Sequence, residues 1–215
     1  MLIDLHIHEK THSSDSLLDL KEILREAKKK GLDGIGITDH DSMGLYKAAE
    51  QISREMNFPV FVGAEVLTCE GDLLLYGVDH IPDGRMHAQE LIDWTEKRGG
   101  ITIAAHPYRK NGRALGDKLF ELKGLTGVEV LNGNTPMPLN NLAVDTALAL
   151  NLPLLGSSDA HHTERIGRYA TRFSREIRSM QDLVQEIRAG NTTPVYYNHG
   201  AYHGLDPELA RDLAV

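Results

Sequence analysis

Leu2-Ile3-Asp4-Leu5-His6-Ile7-His8, the run that opens the chain, decides how the rest of it is read. The run is apolar with strand-type spacing and ends on two imidazoles at i and i+2. On a strand, side chains two apart point to the same side. His6 and His8 can therefore grip one divalent cation while Ile7 packs the other way. One His-x-His is a weak signal. Its weight comes from the rest of the chain, where Thr38-Asp39-His40-Asp41, Gly63-Ala64-Glu65, Ala105-His106-Pro107 and Ser158-Asp159-Ala160-His161 each close a separate apolar run.

Outward from the first strand, the pattern alternates. Leu20, Ile23, Leu24 and Ala27 recur at helical spacing, with Asp19 and Glu22 as a capping box and Gly31 as the stop. Residues 34–38 predict a buried strand, Leu45 to Met56 a helix, 60–66 and 73–78 two strands, and Leu91, Ile92 and Thr95 a helix ending near Gly99-Gly100. Strands follow at 101–105 and 128–131, a helix at 143–150, a strand at 154–157 and a late helix from Met180 to Gly190. Residues 132–141, rich in Asn, Gly and Pro, read as a loop, and Asp206-Pro207-Glu208 as the cap and first turn of a short final helix. Continuous apolar strands alternating with amphipathic helices predict a parallel sheet buried on both faces. About seven such units imply a small, irregular β/α barrel, with an open doubly wound sheet as the alternative. The polar residues follow strands, and in a barrel those positions form the rim where chemistry is done.

The 215 residues, 41% hydrophobic and 25% charged, suit a single domain over 1–215 with material for a core. No apolar stretch reaches the length of a membrane span, and Asp4 and His6 interrupt what a secretory leader would need to be apolar. Cys69 is the single cysteine, so no internal disulfide can form and a cytoplasmic setting is expected. A formal net charge of -8 argues against a basic surface built for long nucleic acid, but leaves room for a small phosphorylated substrate. Acids gathered around divalent cations would have their local sign reversed.

Among the polar clusters, Asp4 adds a further buried polar group to the strand of His6 and His8, a costly face without metals or partners. Asp15 competes with His12 as the ligand from the first loop; Asp19 is better placed to cap the helix, which leaves Asp15 free. His40 is assigned to metal, and Asp39 or Asp41 to orienting an imidazole through its second nitrogen. Glu65, after a run of apolar residues, is the candidate bridge between two cations. Asp72 is either an oxygen ligand or a turn residue after Gly71. His106 is either structural or a ligand matching the other strand ends, and Asp159 with His161 repeats the opening i, i+2 pair. Nitrogen and oxygen donors without thiolate favour Zn, Mn or Fe, and their number implies two or three ions.

In this order His-x-His, Asp-His, Glu, His-Pro and Asp-x-His, spanning His6 to His161, resemble the PHP (polymerase and histidinol phosphatase) superfamily, and the short single-domain form its stand-alone phosphoesterases. The resemblance implies a distorted (β/α)7 TIM-like barrel holding up to three Mn, Zn or Fe ions. It carries ligand roles onto His6, His8, Asp15, His40, Glu65, His106, Asp159 and His161. Two positions depart from it. The first loop is slightly longer than in many relatives, and Asp72 stands where many carry a His.

The expected chemistry is hydrolysis of a small phosphomonoester or short nucleotide by a metal-bridging hydroxide. Arg109, three residues past His106, is the first candidate for a clamp on substrate phosphate, and Arg168 the second. The competing classes are a nuclease acting on oligonucleotide ends, an amidohydrolase cleaving C–N bonds and a non-catalytic metal-binding protein. Amidohydrolases often bridge their metals with a lysine on the fourth strand, and residues 73–78 contain none.

Overall fold

A capped helix follows the first strand because Asp19 accepts the backbone N–H of Glu22 at 2.9 Å and Leu20, Ile23, Leu24 and Ala27 bury one face. The reciprocal half of the expected capping box is absent. The Glu22 carboxylate accepts the hydroxyl of Thr163 instead. The computed structural model describes residues 1–205. They form β1 (Leu2–Ile7), α1 (Leu20–Lys29), β2 (Gly34–Ile37), α2 (Tyr46–Met56), β3 (Val60–Val62), β4 (Ala64–Leu67), β5 (Asp72–Tyr76), α3 (Ala88–Glu96), β6 (Ile101–Ala104), β7 (Gly127–Asn132), α4 (Met137–Ala149), β8 (Leu154–Ser157), β9 (Tyr169–Phe173), α5 (Met180–Arg188), β10 (Thr192–Asn198) and β11 (Ala201–Gly204).

The strands make two sheets, in the orders β11-β10-β9-β1-β2-β3 and β4-β5-β6-β7-β8. The ladder does not close into the expected seven-stranded ring. Isolated parallel bridges, Ile7 with Ala160 and His40 with Glu65, link the sheets where the strands end. The sheets are also mixed rather than parallel. β1-β2-β3 and β6-β7-β8 run parallel, but β4-β5, β5-β6, β1-β9, β9-β10 and β10-β11 are antiparallel. For β5 the cause is connection length, since residues 68–71 are too few for a crossover and fold as a hairpin held by Thr68, whose hydroxyl donates to the Gly71 carbonyl at 2.6 Å. β5 therefore starts, rather than ends, at the rim.

α1 and α2 cover one sheet with Ile23, Leu24 and Ile52 against Ile35 and Ile37. α3 and α4 cover the other, with Leu91, Ile92 and Val144 against Leu73 and Val128. Between the sheets, Ile3, Leu5, Phe61, Leu74, Tyr76, Ile103 and Leu155 form a central cluster that Leu183 and Ile187 of α5 close from below. Gly36 is required here. A Cβ on it would collide with the Tyr76 hydroxyl, which donates to the Leu5 carbonyl at 2.6 Å.

Other boundaries also depart from expectation. The single strand expected over 60–66 breaks at Gly63 into β3 and β4. α4 begins at Met137, well before Ala143, because Pro138 sits in its first turn where no N–H is needed. Residues 132–141 are thus only partly loop. The strands β9, β10 and β11 were not anticipated. The short helix expected at Asp206-Pro207-Glu208 lies outside the described residues. No described helix is long and apolar enough to cross a membrane.

Candidate metal centre

The strand ends deliver their polar residues to one small cavity, lined by Asp15, His40, Glu65, His106, Arg109, Asn111, Arg113, Asp159 and His161, with a volume of about 80 Å³. His6 and His8 form its floor and are fully buried. β1 shifts register between Asp4 and Ile7, and the two rings end 4.9 Å apart. β2 leads to His40, β4 carries Glu65, and β6 and β8 lead to His106 and Asp159. Because β5 runs backwards, Asp72, its first residue, reaches the same rim. His106 and Asp159 hold left-handed backbone, φ 31° and 51°, a conformation that non-glycine residues rarely adopt and that here turns both side chains inward.

Glu65 sits at the centre. Its Oε1 lies 2.8 Å from His106 Nε2 and its Oε2 2.8 Å from His40 Nδ1. The same Oε2 is 3.6 Å from His6 Nε2 and 3.5 Å from His8 Nε2. Asp159 Oδ1 stands 3.6 and 3.3 Å from those two nitrogens. The separations from His6 and His8 Nε2, 3.3–3.6 Å, are longer than ordinary hydrogen bonds. They match donors sharing a cation, since bonds of about 2.1 Å place neighbouring ligand atoms roughly 3.0–3.5 Å apart. In keeping with that, His6 Nε2, His8 Nε2 and Asp72 Oδ1 are buried with no hydrogen-bond partner, a cost that ion binding would remove. Donor groups close enough to hold an ion are His6/His8/Glu65, His6/His106/Asp159, His8/His40/His161 and Glu65/Asp72/His106. At the mouth Asp15 Oδ2 lies 3.1 Å from His40 Nε2 and 3.3 Å from His161 Nε2. The donor set therefore fits divalent metals of the nitrogen- and oxygen-loving kind.

A second layer fixes the rings. His6 Nδ1 is 3.0 Å from Glu129 Oε1, whose other oxygen accepts the His106 N–H at 2.7 Å and the Asn132 amide at 2.9 Å. His8 Nδ1 is 3.2 Å from the Ser13 hydroxyl, which donates to Asp39 at 2.8 Å. Asp39 thus orients an imidazole only through Ser13, and it also accepts the Glu9 N–H at 2.6 Å. Asp41 turns elsewhere, accepting the Leu67 N–H at 3.1 Å. Asp4 does not face the cavity. It accepts the N–H groups of Ser158 and Gly167, each at 2.9 Å.

Electrostatics separate the groups. Burial alone would push Asp159 up, but the charges of His6 and its neighbours hold it well below the usual carboxylate range. Glu65 is likewise held down, by His6 and by hydrogen bonds from His106 and His40, against its burial. Burial lowers His8 to about 4, so it stays neutral and able to donate a lone pair. Burial first, then the charge of Glu65, raises Asp72. Burial lifts Asp39 and Asp4 each to about 6.

The structure brings together His6, His8, Asp15, His40, Glu65, Asp72, His106, Asp159 and His161. Of the two residues competing for the loop position, Asp15 is at the site, whereas the His12 ring lies over Gly44, where an added Cβ would collide with it. Arg109 joins them through an ion pair with Asp159. Arg168 does not. Its guanidinium lies over the Tyr169 ring and reaches the Gly133 carbonyl at 3.4 Å. Sequence reasoning missed Glu129 and Arg113. The rule that singled out Glu65, a lone carboxylate in an apolar run, applies equally to Val128-Glu129-Val130 and would have found the first.

Fold and site together define an α/β domain with a histidine- and carboxylate-rich metal centre at its strand ends. Residues 138–192 match the PHP-associated family. An uncharacterized protein of Methanocaldococcus jannaschii is 35% identical over 159 residues, 69% of this chain and 92% of the relative. The PHP-associated match agrees with the PHP resemblance of the sequence motifs. Several solved structures share its fold. A candidate metal-dependent phosphoesterase from Bifidobacterium adolescentis has a TM-score of 0.63 at 18% identity, over 75% of this chain and 88% of its own. A lesion-specific endonuclease from Pyrococcus furiosus has a TM-score of 0.65 at 22% identity, over 97% of this chain and 60% of its own. An amidohydrolase from Chromobacterium violaceum has a TM-score of 0.65 at 17% identity, over 87% of this chain and 96% of its own.

Proposed function

We propose that the protein hydrolyses phosphate esters of small molecules, with two or three divalent ions (Mn, Zn or Fe) as cofactors. The observation that carries this reading is the set of buried, unpartnered imidazole nitrogens and carboxylate oxygens at ion-sharing separations, directly beside two guanidinium groups. Bound divalent ions supply Lewis acidity to a water and to phosphoryl oxygens. The chain does the rest. Glu65, whose two oxygens meet His40 and His106 separately, would be placed to serve two ions. Asp159 and His8 would help hold an inner ion, and His40, His161 and Asp15 an outer one. Arg109 faces the place where phosphoryl charge would lie.

A small substrate suits a cavity of about 80 Å³ better than a polymer does, and the net charge of -8 points away from long nucleic acid. β5 supplies Asp72 and no lysine, which disfavours the amide-cleaving reading. The test couples elemental analysis of protein purified without chelator to a panel of phosphoesters and amides. Turnover of an aryl phosphate that chelator abolishes is expected. Amide turnover with no phosphoester turnover by metal-loaded protein would overturn the proposal.

A further inference from the structure

Resting on the phosphoester reading above, we infer that Arg109 and Arg113 form a two-armed receptor for a terminal phosphate, and that Arg113 sets a preference for phosphomonoesters over phosphodiesters. Both lie on the loop after β6 and line the same cavity as Glu65, His106 and Asp159. Neither is a free surface arginine. Arg109 is ion-paired to Asp159, and the Nε of Arg113 donates to Asp72 Oδ2 at 2.7 Å. Their side chains are 26% and 31% exposed, so each has a buried anchor and a solvent-facing edge.

The loop holds them in place from both ends. The Arg109 N–H donates to the His106 carbonyl at 2.9 Å, and the Arg113 carbonyl accepts the Asp72 N–H at 2.8 Å. Between them, Asn111 Oδ1 accepts the Arg113 N–H at 3.0 Å. A guanidinium carries five N–H donors in a planar fork. The contacts to Asp159 and Asp72, with a 3.5 Å approach of Arg113 Nη2 to His40 Nδ1, use only part of each fork, and both residues line the cavity. The anchoring carboxylates thus pre-orient the arms, which lowers the ordering cost of binding.

Charge then selects the substrate. A phosphomonoester carries about -1.5 to -2 at neutral pH, and its terminal oxygens can each meet a fork. A diester carries one charge and has a second substituent where an arm would bind. Asp72 is therefore at once a neighbour of the centre and the anchor of the monoester arm.

The experiment uses metal-loaded full-length protein and the variants Arg113→Met and Arg113→Lys. Turnover of 4-nitrophenyl phosphate is compared with that of bis(4-nitrophenyl) phosphate, and binding of inorganic phosphate is measured by calorimetry. In Arg113→Met the monoester-to-diester ratio of kcat/KM should fall at least about tenfold, and phosphate should bind at least about tenfold more weakly, at unchanged metal content. Arg113→Lys, which keeps the charge but not the fork, should fall between the two. An equal loss on both substrates, a loss of metal, or unchanged phosphate affinity would each overturn the inference. If wild type turns over neither ester, the calorimetry alone decides on the clamp, and the phosphoester reading fails separately.

Discussion

The floor and the mouth of the centre are built differently. On the floor, His6, His106, Asp159 and Glu129 are at most 2% exposed, and Glu129 holds the His6 ring and the backbone N–H of His106. At the mouth, Asp15, His40 and His161 have side chains 56%, 25% and 15% exposed, and Asp15 comes from a loop. Floor donors are pre-organised by the sheet, whereas mouth donors are ordered by whatever they bind. The floor should therefore hold its ion tightly and the mouth should exchange it.

Removing a donor tests this most severely. His6→Ala should lose metal and reduce kcat by more than about 100-fold, beyond what loss of a supporting residue costs, while Asp15→Ala should retain the floor ion and lose less. Equal loss in both variants, by elemental analysis and kinetics, would erase the distinction. Next comes Glu129→Gln, which leaves every donor in place. It should weaken metal affinity roughly 10–100-fold by loosening His6 and His106. Metal titration reads this directly, and unchanged affinity would mean the sheet alone orients the rings. Stripping the metal should be felt in stability. Metal at about 100 times its dissociation constant adds about 2.7 kcal/mol, hence roughly 5–10 °C in Tm for a chain of this size. Calorimetric scans with and without chelator that coincide would contradict binding coupled to the fold. The smallest effect is expected at Arg168→Ala, within about 0.5 kcal/mol of wild-type stability and with kcat/KM nearly unchanged, because its guanidinium is turned to Tyr169. A tenfold loss of activity there would extend the site past the mouth.

What the sequence made legible was whatever obeyed a period. The i, i+2 pairs at His6/His8 and Asp159/His161, and the carboxylate at Glu65, stood out against apolar strands. The α1 stripe of Leu20, Ile23, Leu24 and Ala27 likewise set its helix. Arg113 had no period to reveal it. It is placed by a loop whose path depends on Asp72, distant in the chain. The register shift in β1 and the left-handed backbone at Asp159 come from tertiary fit rather than local preference. β10 and β11 hid because Pro194 breaks an otherwise strand-like run and the hairpin is half exposed. The barrel inferred from alternation assumed every connection was a crossover, and the four-residue link between β4 and β5 is not.

That hairpin has one more effect. Its tip, residues 68–71, stands just above Asp72, with Gly71 against the backbone of Ala114 and Leu115 beside the arginine loop. Lengthening or shortening such a tip leaves the strand pairing behind it intact. Insertion or deletion there would shift the backbone beside the arginine loop while the cation-holding interior keeps its strands.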